Sequence, residues 1–309
     1  YLRLRGDHVG QAASCVQLMQ KALERMNIKL HDAISSLAGA SGMAVMRAIV
    51  AGQRDPATLL ALCDVQIRRA KAELVKETLR GTWSDEHIFA LEQALQSWDH
   101  YQRLIAECDR RIESVLPPHD PTLPPLAGPA KRGGANAPEI GMLREILAHM
   151  CSGRDLTRLP TLAPYSVLQL IGETPICLSK WATEKHFTAW AGLAPGSNDS
   201  GKRHRSVKRR RNRAGQLFCM LATTLVRSKT IALGAFYRRM AARRGKAVAN
   251  KALARKLAAW FWRVMVKGDD YVEQGIAHYE AQVRKGKERA LRRLASELGQ
   301  QLTPIDCTA

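Results

Sequence analysis

Residues 117–137 read PPHDPTLPPLAGPAKRGGANA, and this stretch divides the chain of 309 residues into two parts. It holds six prolines and three glycines but few large apolar side chains. Because such a composition cannot supply a core of its own, it predicts a flexible linker. We therefore expect a helical module over residues 1–116, a linker over 117–137 and a compact C-terminal domain over 138–309.

Helical spacing of apolar residues dominates the part before the linker. The pattern predicts helices over residues 10–34, 42–51, 55–79 and 85–116. Asp55 and Pro56 are typical cap and first-turn residues of the third helix. Ser84 is a typical cap of the fourth, and Asp85 and Glu86 follow it in the first turn, where the helix dipole favours acidic side chains.

The predicted helix over 85–116 carries a heptad repeat. Every seventh residue is apolar at Leu91, Trp98, Ile105 and Ile112. Leu95 and Leu116 occupy the companion positions, whereas Gln102 and Asp109 interrupt them. The pattern indicates an imperfect coiled coil. It is compatible with dimerisation, from which we expect a homo-oligomer, and also with packing onto the preceding helix as an antiparallel hairpin.

The part after the linker is also helical in its pattern. Helices are expected over residues 138–150, 165–173, 183–192, 214–227, 232–244, 247–267, 271–285 and 287–298. Alternation of apolar and polar residues, which would indicate a strand, does not extend over more than a few positions. The predicted fold class is therefore mainly α, with a helical and coiled-coil N-terminal module and a compact helical C-terminal domain.

The chain is strongly basic, with 48 Lys and Arg against 28 Asp and Glu and a formal net charge of +20. Such a surplus implies a polyanionic partner, most often nucleic acid. No apolar run approaches the roughly 18 residues that a membrane span needs, and the N-terminus has no signal-peptide pattern. The seven cysteines lack CxxC spacing and indicate reduced, mostly buried thiols. We expect a cytoplasmic protein without membrane contact.

Residues 190–213 read WAGLAPGSNDSGKRHRSVKRRRNR, a turn-prone segment that contains Ser197 and Ser200. Eight basic residues follow within twelve positions: Lys202, Arg203, Arg205, Lys208, Arg209, Arg210, Arg211 and Arg213. A serine beside such charge suits attack on a phosphodiester, because guanidinium groups bind phosphate oxygens and stabilise the transition state. Alternatively, the basic run only binds the nucleic-acid backbone and the serines are turn residues. His204 either assists proton transfer or is simply solvated.

The other motifs indicate no second chemistry. The sequence contains no GxxxxGK[ST] phosphate loop, no HExxH and no His/Cys cluster with zinc spacing. The carboxylates of the C-terminal part are isolated along the chain, so no metal site is predicted in it. Arg238 and Arg239, which follow Tyr237, are candidates for phosphate contact. The aromatic cluster at 260–262 has the helical spacing of a core.

Five short segments occur in an order that is typical of a known family. They are FTAWAGLAPG (187–196), SGK (200–202), RNRA (211–214), GAFYRRM (234–240) and YVEQG (271–275). On these residues the C-terminal part resembles the Piv-like insertion-sequence transposases, also described as bridge-RNA-guided or DEDD-plus-serine recombinases. The resemblance covers most of 138–309, and residues 1–116 resemble the segment between the two catalytic domains of that family.

The resemblance implies a mechanism in which Ser200 attacks a DNA phosphodiester and forms a covalent phosphoserine intermediate. Such an intermediate keeps the bond energy, so strands are rejoined without ATP. Lys202, Arg203 and Arg205 would favour the alkoxide-like nucleophile. The resemblance also implies DNA and a structured guide RNA as partners, and a bacterial, nucleoid-associated location. It further implies an N-terminal RuvC-like domain with an acidic, Mg²⁺-binding tetrad, which we expect upstream of Tyr1. No cofactor is expected in this chain itself.

The chain departs from the family pattern at two short segments. The usual SGGK is shortened to SGK at 200–202, and the segment 160–164 has no glycine where the family often carries one. Glycine permits close backbone approach to a phosphate. The sequence therefore leaves two interpretations: a transposase fragment that is inactive alone, or a catalytically inactive nucleic-acid-binding remnant or regulator.

Overall fold

A computed structural model describes residues 1–195, 197–200, 203–206, 210–268 and 275–301, and in the two short ranges 197–200 and 203–206 it describes the backbone alone. The chain forms two compact units. The first comprises Tyr1–Leu116 with Pro138–Ile140, and the second comprises Pro117–Ala137 with Gly141–Ala309. The fold is mainly α, as predicted.

The first unit is built of helices. They are α1 (Leu2–Arg25), α2 (Leu30–Ala33), α3 (Ala40–Val50), α4 (Pro56–Ala61), α5 (Val65–Thr78) and α6 (Asp85–Val115). Two predicted helices are divided. The helix expected over 10–34 is interrupted after Arg25, where Asn27 adopts a positive φ of 57°. The helix expected over 55–79 is interrupted because Asp64 caps a new helix by accepting a hydrogen bond from the Gln66 amide.

The helix caps of the first unit follow the sequence in part. Asp55 caps α4 as predicted, and its carboxylate accepts hydrogen bonds from the Thr58 amide at 2.8 Å and the Thr58 hydroxyl at 2.6 Å. These hydrogen bonds lower the pKa of Asp55. Ser84 lies at the N-cap of α6 as predicted, but its side chain makes no capping hydrogen bond.

The heptad face of α6 packs along α1 of the same chain. Leu91 and Leu95 lie in one core cluster with Met19 and Leu23 of α1. Asp109, which interrupts the repeat, pairs with the guanidinium of Arg5 near the start of α1, and the second contact of this pair measures 3.2 Å. The charge of Asp109 is therefore balanced within the unit. Helix α6 packs on α1 rather than on the preceding helix, α5.

The second unit contains further helices and one pair of strands. They are α7 (Leu143–Met150), a 3₁₀ turn (Leu156–Arg158), α8 (Pro164–Glu173), α9 (Glu184–Trp190), β1 (Ser197–Ser200), β2 (Arg203–Ser206), α10 (Arg213–Leu225), α11 (Ala232–Arg244), α12 (Lys246–Lys267) and α13 (Gly275–Glu297). Each of these strands is only four residues long, and the sequence pattern predicted neither of them. Their residues, SNDS and RHRS, contain no apolar side chain. Hydrophobic alternation therefore could not reveal them.

Helix α12 forms the centre of the second unit and packs against α9, α10 and α11. Phe261 of α12 lies 6.1 Å from Phe187 of α9 and 5.5 Å from Phe218 of α10, measured between ring centroids, and all three rings are fully buried. Trp262 is also buried, which confirms that the aromatic cluster at 260–262 contributes to the core. This core fixes the positions of the helices on either side of the basic segment.

The side chain of Arg144, which is 6% exposed, joins the Pro- and Gly-rich segment to the rest of the second unit. The Arg144 guanidinium donates to the carbonyl oxygens of Ala127 and Gly128, both at 2.7 Å, and to the Asp155 carboxylate at 2.6 Å. Lys131 donates to the Leu159 carbonyl oxygen at 2.6 Å. These bonds hold residues 127–131 against the unit.

Two further expectations concern thiols and membranes. The cysteines in the described ranges are free, and all of them except Cys177 are buried, as predicted. Cys307 lies outside those ranges. None of the helices in the described part of the chain combines the length and the apolar character that a bilayer span requires.

Candidate nucleic-acid interface

The basic segment contains an antiparallel hairpin formed by β1 and β2. Its register places Ser200 opposite Arg203 and Asn198 opposite Arg205. Residues that face each other in such a pair have Cα atoms about 5 Å apart. The candidate nucleophile therefore occupies the last position of β1, beside the first arginine of β2.

Not all predicted site residues fall within the described structure. Lys202, Lys208 and Arg209 lie outside the described residues, and Ser200, Arg203 and Arg205 are described by their backbone alone. The remaining arginines of the run, Arg210, Arg211 and Arg213, are exposed at the start of α10. The N-terminus of this helix adds a partial positive charge to theirs.

Two glycines hold the ends of the basic segment together. Gly192 has φ of 70°, and a Cβ at this position would lie 2.6 Å from the Arg210 carbonyl oxygen. A Cβ at Gly215 would lie 2.0 Å from the Ala191 carbonyl oxygen. Because any larger residue would clash with backbone, these contacts require glycine. The segment therefore leaves and re-enters the helical core at one point.

The side chain of Asn212 forms hydrogen bonds at the same place, where the basic segment leaves and re-enters the core. Its Oδ1 caps α10 by accepting a hydrogen bond from the Gly215 amide at 2.8 Å. Its Nδ2 donates to the Trp190 carbonyl oxygen, at the end of α9, at 3.2 Å. One amide side chain thus joins the helix before the basic segment to the helix after it.

An aromatic group lies next to this junction. Trp190 lies 4.8 Å from Trp181 and 5.7 Å from Phe187, measured between ring centroids. Trp190 is 38% exposed, whereas Trp181 is 8% exposed and Phe187 is fully buried. The ammonium group of Lys180 lies 4.2 Å from the centre of the Trp181 ring.

The only acidic residue of α9, Glu184, is paired with Arg263 of α12. A second contact in this pair joins Arg263 Nη2 and Glu184 Oε1 at 2.9 Å. The Arg263 guanidinium offsets the negative charge of Glu184. Helix α9 therefore carries no uncompensated acidic charge.

The second predicted basic group lies on α11. Arg238 is exposed and donates a hydrogen bond to the Ser228 carbonyl oxygen, and Arg239 is half-buried. Tyr237 is buried and belongs to the core. Of the three neighbours, the two arginines thus remain candidates for phosphate contact.

Arg144 and Asp155 form a buried ion pair at the start of the 3₁₀ turn. Burial raises the pKa of Asp155, but hydrogen bonds from Arg144 and Thr157 outweigh it, so the pKa lies below its ordinary value. Both side chains of the Arg144–Asp155 pair are more than nine-tenths buried. The carboxylate is therefore ionised at neutral pH and balances the guanidinium inside the unit.

The Mg²⁺ that the family resemblance implies has no matching ligands in the described ranges. No group of three or more His, Cys, Asp or Glu side chains converges there on a possible metal position. Hard cations such as Mg²⁺ need oxygen ligands from carboxylates. The described residues do not fit that ion.

Sequence reasoning missed the hairpin and the two contacts that close its base. The role of Asn212 had a signal, because Asn directly before a helix is a typical N-cap. Its second bond, to Trp190, had none, since it joins residues that are distant in the sequence. The packing of Trp190 on Trp181 depends on the tertiary fold in the same way.

Comparison with known families locates this site within a defined domain. Residues 153–238 match the family model described as Transposase IS116/IS110/IS902 family. The matched residues include the hairpin with Ser200, the basic residues up to Arg213, and Arg238. No curated protein matches the chain. The match confirms the resemblance to an IS110-like insertion-sequence transposase and supports a DNA transposase role.

Proposed function

We propose that this chain supplies the serine half of the catalytic site of an IS110-like insertion-sequence transposase, with Ser200 as the nucleophile. The observation that carries the proposal is the backbone register of the hairpin, in which Ser200 lies opposite Arg203. The clamped base at Gly192 and Gly215 supports it. A hairpin with fixed ends can present a serine and arginines together to a phosphate.

In the proposed reaction, Ser200 Oγ loses its proton and forms a bond to the phosphorus of a DNA phosphodiester. The bond from phosphorus to the leaving oxygen breaks, and that oxygen takes up a proton. A hydroxyl of the partner strand later attacks the phosphorus, and its oxygen forms the new phosphodiester bond and gives up its proton. The bond from phosphorus to Ser200 Oγ breaks, and Oγ takes up a proton again. Arginine side chains of the basic run stabilise the charge that develops on the phosphate oxygens. We place the acidic, Mg²⁺-binding half of the site in a separate domain.

The basic residues give the chain its proposed partners. The eight basic residues of the run would hold a DNA backbone and a structured guide RNA: Lys202, Arg203, Arg205, Lys208, Arg209, Arg210, Arg211 and Arg213. Arg238 and Arg239 of α11 would add further contacts to phosphate. Binding of this kind releases counterions, so the logarithm of the binding constant falls linearly with the logarithm of the salt concentration.

A homo-oligomer also remains a proposal. The heptad face of α6 packs on α1 of the same chain, through residues such as Leu91 and Leu95. Because that face is already buried, association between copies would use another face of the first unit.

The test of the nucleophile compares two serines of one strand. In the transposase that carries both catalytic domains, Ser200→Ala removes the Oγ of the proposed nucleophile, and Ser197→Ala serves as the matched control. We expect Ser200→Ala to abolish both recombination and the covalent protein–DNA adduct, while DNA binding persists. Ser197→Ala should retain both activities.

The alternative is a nucleic-acid-binding protein without strand cleavage. The shortened SGK at 200–202 favours it, since the family pattern has one more glycine at that position. If neither wild type nor Ser197→Ala forms an adduct although both bind DNA, the alternative holds. If Ser200→Ala still forms the adduct, another residue is the nucleophile.

A further inference from the structure

We propose that Trp190 is a stacking site for an unpaired base of a DNA strand held by the basic segment. The inference rests on the proposed function for the class of partner, and it adds a binding residue outside the basic run. Indole rings stack on every nucleobase, because each base has a π face.

The accessible surface of Trp190 is the first observation. The residue is 38% exposed, although Trp181 and Phe187, on which its ring packs, are buried. A single exposed apolar residue is common on protein surfaces and identifies no site by itself. The aromatic and charged neighbours of the ring distinguish Trp190 from such a residue.

Two packed aromatic rings and a hydrogen bond to its own carbonyl oxygen fix the position of Trp190. Trp181 and Phe187 contact it at centroid separations of 4.8 Å and 5.7 Å, and Phe187 lies nearly parallel to it, at 28°. Asn212 binds the Trp190 carbonyl oxygen and so fixes the end of α9. A side chain that is already ordered loses little entropy when a ligand binds. Trp190 is thus preorganised as a platform.

The charge around the platform matches a nucleic-acid strand. The backbone of Arg210 and Arg211 passes beside Gly192, two residues after Trp190 in sequence, and both arginine side chains are exposed. Lys180 lies over the neighbouring Trp181. A base on the platform would therefore have cations nearby for its flanking phosphates.

The observations favour an unpaired base over a duplex. Within a duplex the faces of each base are covered by its neighbours, so an indole face reaches only bases that are unpaired, terminal or flipped. Strand cleavage and exchange produce such bases. The DNA transposase role of the matched family favours DNA over RNA as their source.

The experiment measures binding of this chain to fluorescein-labelled oligothymidine, to a mixed-sequence duplex and to oligouridine of the same length. Trp190→Leu removes the aromatic face, Trp190→Phe keeps one, and Phe89→Leu is the control. Phe89 is an exposed aromatic residue, 61% exposed, on α6 of the first unit. Thermal unfolding of each variant shows whether it folds.

We expect Trp190→Leu to weaken binding to oligothymidine by about tenfold. Trp190→Phe should recover most of the affinity, duplex binding should change little, and Phe89→Leu should bind like wild type. The salt dependence should be unchanged, because no phosphate contact is removed. Quenching of tryptophan fluorescence by oligothymidine should be smaller in Trp190→Phe than in wild type. This measurement tests the stacking even if Trp190→Leu does not fold.

The failures of the two proposals are distinguishable. If wild type binds neither the strand nor the duplex, the proposed function is wrong. If wild type binds oligothymidine and Trp190→Leu binds it equally well, the stacking site alone is wrong. Equal losses on strand and duplex, or a larger loss on oligouridine than on oligothymidine, overturn the assignment to an unpaired DNA base.

Discussion

Arginine has opposite roles in two regions of the second unit. Arg144 is buried, and its hydrogen-bond partners lie inside the unit: two carbonyl oxygens of the Pro- and Gly-rich segment, the carboxylate of Asp155 and the hydroxyl of Thr157. Arg210 and Arg211, at the base of the hairpin, are exposed. The first arginine stabilises the fold, and the other two are available for binding. Substitutions in the first region should therefore change stability, and substitutions in the second should change affinity.

The largest effect is expected when the buried pair is broken. Asp155→Asn leaves the Arg144 guanidinium buried without a counter-charge, which costs about 3 kcal/mol or more of the free energy of unfolding. Chemical denaturation at neutral pH measures it. Asp120→Asn is the control, because Asp120 lies in the same unit but binds only the neighbouring Thr122 among its described side-chain partners.

The Arg144–Asp155 pair should also make the stability of the fold depend on pH. Since the pKa of Asp155 is lower in the folded chain than in the unfolded one, its stabilising contribution is complete above the unfolded-state value, about 3.9. It is lost as the pH falls through the lower folded-state pKa. The stability difference between wild type and Asp155→Asn should therefore shrink only in strong acid. A difference that already disappears near neutral pH contradicts the ion pair.

A smaller loss of stability is expected at the junction of the two regions. Gly215→Ala introduces a Cβ that would lie 2.0 Å from the Ala191 carbonyl oxygen. Relief of this clash costs about 2 kcal/mol, and it shifts the end of α9 relative to α10, so DNA binding should weaken as well. Gly286→Ala is the matched control, since Gly286 lies within α13 and its Cβ would meet nothing within 4 Å. That control should be neutral or slightly stabilising.

The smallest effect on the fold is expected at the exposed arginines. Replacing both Arg210 and Arg211 by Gln should leave the melting temperature unchanged, and it should reduce the slope of the logarithm of binding against the logarithm of salt by about 2. Titration of a labelled duplex at several salt concentrations measures it. Arg25→Gln, an exposed arginine of α1 in the first unit, should leave the slope as it is. An unchanged slope in the double variant removes these residues from the interface.

The sequence predicted most of the helices because their apolar spacing and caps are local signals, but it divided α13 into two expected helices, over 271–285 and 287–298. The helix over 232–244 has the same bounds as α11, and the predicted helix over 247–267 begins one residue inside α12. The break at Asp64 was missed, since an apolar pattern continues across it. Its signal was the acidic residue itself, which caps the following helix.

The candidate site was predictable in its residue types but not in its arrangement. Charge and family resemblance pointed to Ser200 and the basic run, and the structure adds the strand register and the clamp around it. The clamp depends on contacts between residues far apart in sequence, such as Asn212 with Trp190. Such contacts follow from the packing of α9, α10 and α12, which periodicity alone does not specify.

The closed base of the basic segment also has an evolutionary consequence. Because the glycine contacts and Asn212 fix where the chain leaves and re-enters the core, the length of the intervening excursion is only weakly constrained by the rest of the fold. In a loop with fixed ends, even a doubling of length costs only about 0.6 kcal/mol in closure entropy. Insertions and deletions between Gly192 and Arg210 should therefore change the stability of the fold only slightly. Such a scaffold can lose one glycine, as the SGK at 200–202 has relative to the family pattern, and still fold.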